Sequence, residues 1–470
     1  MDLVSEIQKI KRVVSTLEKT IVKQNHIIER QSKKINLLSK EIESLKFENA
    51  ELKERLHKKN SKNSSVPPSK DENRLKKTQS LRRSSGKKNG GQKGHPGDTL
   101  KMTENPDRII KHIPSYCKKC GMELKEQAVY KQRRQTIDIP PILPVTTEHQ
   151  VYSRLCGCGH CTVSDFPKGV KAPISYGSSV EALISYLSVR QYMSVNRIQE
   201  FLSQVTNLEL SQGSICNKIK SFANKCLPVY DHIRHRIEQS KCVGSDETGF
   251  VVNGEKGWMW TWQTPSLTYI VASSNRGIKT ITDTFEKGLP LATLVHDCWR
   301  SHFNIKAKNH QLCLAHLRRE LNYFIEKRKE CWSYKFEKLL CKSLKLKKLI
   351  IEYPHNDYKY HIQQINKSAD KLLYNKIDDQ HKKLRTFKNR IIKYRGYLFP
   401  FLEDIHIPPD NNGSERAIRN VKVKQKVSGQ FKTFDGATQF AVIRSVLDTC
   451  IKNDTNIFST LLNIHILQPE

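Results

Sequence analysis

Apolar residues recur at heptad spacing from the start of the chain. Ile7, Val14, Ile21, Ile28, Ile35, Ile42, Asn49 and Leu56 share one heptad position, and Leu3, Ile10, Leu17, Gln24, Gln31, Leu38, Leu45 and Leu52 share another. β-Branched residues at the first position with leucine at the second predict a coiled coil over 1–58, favouring a parallel dimer whose register a buried Asn49 sets. Between 169 and 240 the spacing predicts a helix around 197–202, a short turn, and a second helix capped by Ser211. From Lys241 the pattern changes to strands: CVGSDETGFVV, an Asn253-Gly254 turn, GWMWTWQT and LTYIVASS. Asn-Gly is a strong hairpin signal. A helix over 278–287, a fourth strand (ATLVHD), a short polar helix (HQLCLAHLRRELNYF) and a lysine-rich helical stretch to about 393 follow.

Between these patterned regions lies 59–104, rich in serine, glycine, proline and basic residues and nearly empty of large apolar ones. Such a segment buries too little surface to fold alone, so a flexible basic linker is expected. From His57 to Lys101 it holds thirteen lysines and arginines against three acids, which suits an arm that orders on DNA. The excess extends to the whole 470-residue chain: 81 basic against 47 acidic residues, a formal charge of +34. A field of that sign attracts phosphate, and DNA is the expected partner. No stretch reaches the roughly 18 uncharged apolar residues of a membrane span, and the N-terminus lacks the order of a signal peptide. A cytoplasmic protein with no membrane partner is expected.

Five of the thirteen cysteines fall between 117 and 161, in YCKKCG and CGCGHC. Clustering of this kind favours a metal site over disulfides. A tetrahedral thiolate set closes a structural zinc site and lets a module of ~60 residues fold with little core. The expected ligands are Cys117 and Cys120 with two of Cys156, Cys158 and Cys161, in a module spanning 105–168. Knuckle spacing favours Cys158 with Cys161.

Phosphodiester chemistry on DNA needs an activated nucleophilic oxygen and a stabilised leaving oxygen, and two divalent cations held by carboxylates supply both. Hard oxygen donors suit magnesium, with manganese as a substitute. Asp246 lies in the apolar first strand, where an unpaired carboxylate is costly, and Asp297 ends the fourth. Glu415, in PPDNNGSERAIRNVKVKQKVSG, opens a later helix and is the third candidate. Glu247 points to the opposite face of its strand. Arg416, Arg419, Lys422, Lys424 and Lys426 are candidate phosphate contacts. Between Asp297 and Glu415 stand 117 residues, which implies a helical insertion; over 326–400 it carries twenty basic against eight acidic residues, interleaved with Trp332, Tyr334, Tyr358, Tyr360 and Tyr374. A DNA-contacting surface is expected there.

The order of elements from 241 resembles a ribonuclease-H-like core. NSSVPPSKD, GGQKGHPGDTL, FPKGVKAPISYG, SDETGFVVNGEKGWMWTW, HQLCLAHLRREL, NNGSERAIRNVKVKQKVSG and GATQFAVIRSVLDTC, with the coiled coil and the cysteine knuckle, resemble insertion-sequence transposases of the IS66 family nearly end to end. The resemblance implies a DDE enzyme whose acids map onto Asp246, Asp297 and Glu415, and a zinc pair at Cys156 and Cys158. It also implies recognition of terminal inverted repeats and accessory proteins of the same element.

The expected architecture is a multidomain α+β/α/β chain. It comprises a coiled coil (1–58), a flexible basic linker (59–104), a zinc-binding module (105–168) and a helical, helix-turn-helix-like DNA-binding region (169–240). A ribonuclease-H-like catalytic core follows (241–325 and 401–470), interrupted by a basic helical insertion (326–400). The expected function is a bacterial, nucleoid-associated DNA transposase acting as a homodimer or higher synaptic oligomer. The rival readings are a zinc-containing DNA-binding regulator without catalysis and a structure-selective nuclease that cuts but does not join.

Overall fold

The computed structural model describes residues 3–56, 94, 100–167, 169–170, 172–328, 331–375, 377 and 382–464. Apart from Gly94 and residues 100–104, the expected basic linker lies outside them. The chain divides into two compact units: 1–75, 167–199 and 211–470 form one, and 76–166 with 200–210 the other.

Helix α1 (Leu3–Leu56) is continuous over 54 residues. Its heptad residues stay open in the single chain: Ile7, Val14, Ile21, Ile28, Ile35 and Ile42 are between 46% and 62% exposed.

In the smaller unit, β1 (Ser153–Leu155) and β2 (Cys161–Val163) form a short antiparallel ladder with Leu155 opposite Cys161. Each strand of this ladder is only three residues long. Tyr116 bridges Glu123, and the Cys117 amide donates to the Met122 carbonyl at 2.8 Å, closing a tight turn at Gly121, whose φ is +74°. A matching turn forms where the Cys156 amide donates to His160 O at 2.8 Å and Gly159 takes φ +84°. Most apolar side chains between the turns are exposed, Ile137 and Val145 among them.

The larger unit is built on five strands in the order β5-β4-β3-β6-β7: β3 (Cys242–Val252), β4 (Glu255–Gln263), β5 (Thr268–Ser273), β6 (Leu289–His296) and β7 (Ala307–Leu312). The first three run antiparallel through the Asn253-Gly254 turn, where both residues take positive φ. β6 and β7 lie parallel to β3. The Asn-Gly pair fits because such turns match strand twist. β7 replaces the beginning of a helix expected at His310: AKNHQL has no β-branched residue, yet His310, Gln311 and Leu312 are buried. Burial between neighbouring elements overrides local preference.

Thirteen further α-helices belong wholly or partly to the same unit among the described residues. Helices α2 (Ser178–Ser185), α3 (Val195–Thr206, its second half in the smaller unit) and α4 (Gln212–Glu238) precede the sheet. Helices α5 (Ile278–Thr284) and α6 (Arg300–Phe303) flank β6. Ser211 caps α4 by accepting from the Ser214 amide at 3.1 Å, and Phe222, Cys226, Ile233 and Ile237 carry α4 into the main core. Helices α7 (Leu314–Arg328), α8 (Cys331–Glu352), α9 (Lys359–Tyr374), α10 (Lys382–Lys393) and α11 (Pro400–Glu403) surround a second core with Val295 and Leu312. Helices α12 (Asn412–Ser428), α13 (Phe434–Lys452) and α14 (Ile457–Leu462) end the chain. α13 also covers the open edge of β5: Ile270 N donates to Ser445 Oγ at 2.9 Å and Thr268 N to Thr449 Oγ1 at 3.1 Å. An edge so covered is withdrawn from strand pairing with other chains.

Candidate active site

The parallel pairing of β3 with β6 places Gly244 opposite Val295. Two residues further on come Asp246, still within β3, and Asp297, just past the end of β6, close enough for its charge to bear on the Asp246 carboxyl. The Asp246 side chain accepts from the Glu247 amide at 2.9 Å, and Asp297 Oδ1 accepts from the Trp299 amide at 2.8 Å. Burial pushes the Asp246 carboxyl well above the ordinary carboxylate range, and the charges of Glu247, Asp297 and Glu415 push it further. Three acids therefore act on the fourth in a space that disfavours charge.

Glu415 arrives from α12, whose first turn is fastened to β3. Asn411 Nδ2 donates to Ser245 O at 2.6 Å, its amide donates to Cys313 Sγ at 3.2 Å, and Ser414 Oγ donates to Asn411 Oδ1 at 2.6 Å. A β-carbon on Gly244 would stand 2.6 Å from Gln263 Nε2 and 2.7 Å from both Asn411 Oδ1 and Ser414 Oγ. Glycine is what lets the helix approach the strand so closely. The motif NNGSE thus reads as a docking device that delivers its glutamate. Glu415 accepts from Arg319 Nη2 at 2.9 Å and lies 3.8 Å from His316 Nε2.

Among the described residues, no three acids, histidines or cysteines converge as a group that holds a metal ion. Asp246, Asp297 and Glu415 nevertheless fit a divalent cation by donor type and by charge: they are hard oxygen ligands whose mutual repulsion a cation relieves. The cysteines come together in two pairs. The Cys117 thiol is lowered by the Cys120 and Lys119 amides and by the Cys120 side chain, and the Cys156 thiol by the Cys158 amide and side chain. Thiols so poised are suited to bind metal as thiolates.

Of the basic residues near Glu415, Arg416, Arg419 and Lys426 are exposed. Lys422 reaches the Gly249 carbonyl, and Lys424 lies 3.3 Å from the carbonyls of Ser188 and Met193, its ammonium pushed down to about 8 by burial. These two lysines are turned into the protein.

One group escaped the reading of the sequence. Glu247 is only 2% exposed at its side chain. It lies on the strand face opposite Asp246, paired across to Trp260. Arg276 donates to its Oε1 from Nε at 3.0 Å and Nη2 at 2.9 Å, while His302 Nε2 stands 3.1 Å from its Oε2. Burial opposes its charge, but His302 and Arg276 outweigh burial and hold the carboxyl below its usual value. The signal was present: a glutamate in mid-strand among tryptophans has to find partners. Its partners, distant in sequence, carried no spacing to reveal them.

The Transposase IS66 family matches residues 173–439, more than half of the chain and all three candidate acids. The chain belongs to this family, whose activity is that of a transposase, a DNA-cleaving enzyme. A second family, of unknown function, matches residues 7–101. No curated protein matches the chain. Among the described residues no helix is long and apolar enough to cross a membrane.

Proposed function

We propose that the protein is a DDE transposase with a ribonuclease-H-like core, which cleaves at terminal inverted repeats and transfers the freed 3' ends to target DNA. The observation that carries this is the convergence of Asp246 on β3, Asp297 just past the end of the adjacent parallel strand β6, and Glu415 on a helix docked to β3, with the charges of the last two bearing on the first. Asp246, Asp297 and Glu415 would hold two magnesium ions, or manganese, which when bound activate the attacking oxygen and stabilise the leaving one. In cleavage, a water oxygen bonds to phosphorus and the 3' oxygen leaves with its electron pair and takes up a proton. In transfer, that 3' hydroxyl attacks a target phosphodiester in the same way. Exposed Arg416, Arg419 and Lys426, with the basic helices of 326–400, supply charge for the DNA backbone. The capped pair α3 and α4 is a further DNA-reading element.

Among the described residues, the smaller unit contributes none to either hydrophobic core. A structural zinc on Cys117, Cys120, Cys156 and Cys158 would supply what a core does not. Metal analysis of protein purified without chelator is expected to find one zinc per chain, and its absence would remove the assignment.

The decisive test is nicking and strand transfer on a labelled fragment bearing the element's own ends. Magnesium-dependent products are expected from the wild type and none from Asp297→Asn, with DNA binding retained in both. Equal cleavage by the variant would exclude Asp297 from the chemistry.

A further inference from the structure

Asp297 lies just beyond β6, where no strand ladder holds it, yet its carboxylate has two tethers. One is the Trp299 amide at 2.8 Å. The other is His302, a buried ring whose Nε2 stands 3.8 Å from Asp297 Oδ1 and 3.1 Å from Glu247 Oε2. Both tethers lead back to one residue. The Trp299 ring is stacked at 3.7 Å beneath the guanidinium of Arg276, which lies 4.5 Å from the Trp258 ring on another side and donates twice to Glu247 Oε1. His302 is further fixed by an edge contact with Trp260, ring centroids 5.5 Å apart.

We propose that Glu247 is a positioning residue for Asp297: through His302 and through the Arg276–Trp299 stack it fixes the second metal-binding carboxylate from the far face of the sheet. The proposal rests on the reading of Asp297 as a metal ligand. A buried carboxylate that takes two arginine donors on one oxygen and faces a histidine with the other is a rigid anchor, because removing either partner strands a charge. Arg276 is the outer partner, with 38% of its side chain exposed, whereas Glu247 and His302 are sealed. The closed path Asp297, Trp299, Arg276, Glu247, His302 leaves Asp297 little freedom to rotate. Partners standing behind metal ligands typically change metal affinity by about 10 to 100-fold.

The test uses the full chain and manganese, following free ion by electron paramagnetic resonance, with nicking measured over the same metal range. Glu247→Ala is expected to raise the half-saturating manganese concentration about ten-fold or more, and nicking lost at low metal should return as metal is raised. Glu247→Gln keeps an acceptor for His302 and should shift affinity less. Arg276→Met breaks the other tether at a partly exposed position and carries the test should Glu247→Ala fail to fold. Wild-type manganese affinity in folded Glu247→Ala or Glu247→Gln and in Arg276→Met would overturn the proposal. Asp297→Asn separates the two layers: if it binds manganese like the wild type, the metal reading itself fails and the proposal with it. If it loses binding while the Glu247 variants keep it, only the role of Glu247 is rejected.

Discussion

His310 shows how a single buried side chain ties this protein to pH. It is 6% exposed in β7, 3.0 Å from His296 Nε2 through its own Nδ1, and is pushed down to about 4 by burial and by His302. A histidine whose folded value is depressed stabilises the fold fully above its unfolded value near 6.5 and loses that contribution as pH falls towards 4, because the unfolded chain then binds the extra proton. Unfolding in urea should therefore show stability falling by on the order of 1 kcal/mol per pH unit below about 6.5 from this residue. His310→Gln, which takes no proton, should flatten that slope; an unchanged slope would locate the acid sensitivity elsewhere. Nothing in the spelling KNHQL revealed this, since the strand that buries His310 was itself not legible. Asp246, Asp297 and Glu415 were legible because each stands where an apolar strand or a helix start makes a carboxylate conspicuous. Glu247 was legible only as an acid on the opposite face, since its partners Arg276 and His302 meet it through the tertiary fold.

At the scale of elements, the approach of α12 to β3 is set by absent side chains as much as by bonds. Gly244 faces Asn411 and Ser414, both already committed to hydrogen bonds that dock the helix. Gly244→Ala forces three side chains to give way at once, and overpacking of this kind typically costs about 1–3 kcal/mol. The displaced element is the turn that carries Glu415. The variant should stay folded by circular dichroism, melt a few degrees lower and lose most of its nicking activity, whereas Ala at Gly254, where a β-carbon meets nothing within 4 Å, should affect stability through its positive φ and spare nicking. Equal nicking by wild type and Gly244→Ala would mean that the close approach is not needed. The hairpin at Asn253-Gly254 and the cap at Ser211 were readable because their chemistry is local. β7 was not, because its burial is imposed by β6, α11 and the turn before them: Gln311 bonds the Leu398 carbonyl at 3.1 Å and accepts from the Phe401 amide at 3.0 Å.

At the scale of the whole molecule, α1 is too apolar along one seam to stand alone. A helix of 54 residues extends about 80 Å, and leaving its isoleucine and leucine seam in water forgoes the burial that stabilises such helices. Pairing with the same helix of a second copy covers the seam, and heptads with β-branched residues at one position and leucine at the other favour two parallel strands. We propose that such a pair brings two catalytic units together, as the proposed cleavage of two ends requires. Charged side chains at the seam should break this without touching the acids. In the full chain, Ile21→Glu combined with Ile28→Glu is expected to shift the protein from dimer to monomer by light scattering. Nicking of a single end should persist, since the acids and their docking are untouched, while concerted cleavage of two ends falls with the loss of pairing. A dimer that survives both substitutions would move the dimer contact away from α1, and concerted cleavage by a proven monomer would mean that DNA alone brings the two active sites together.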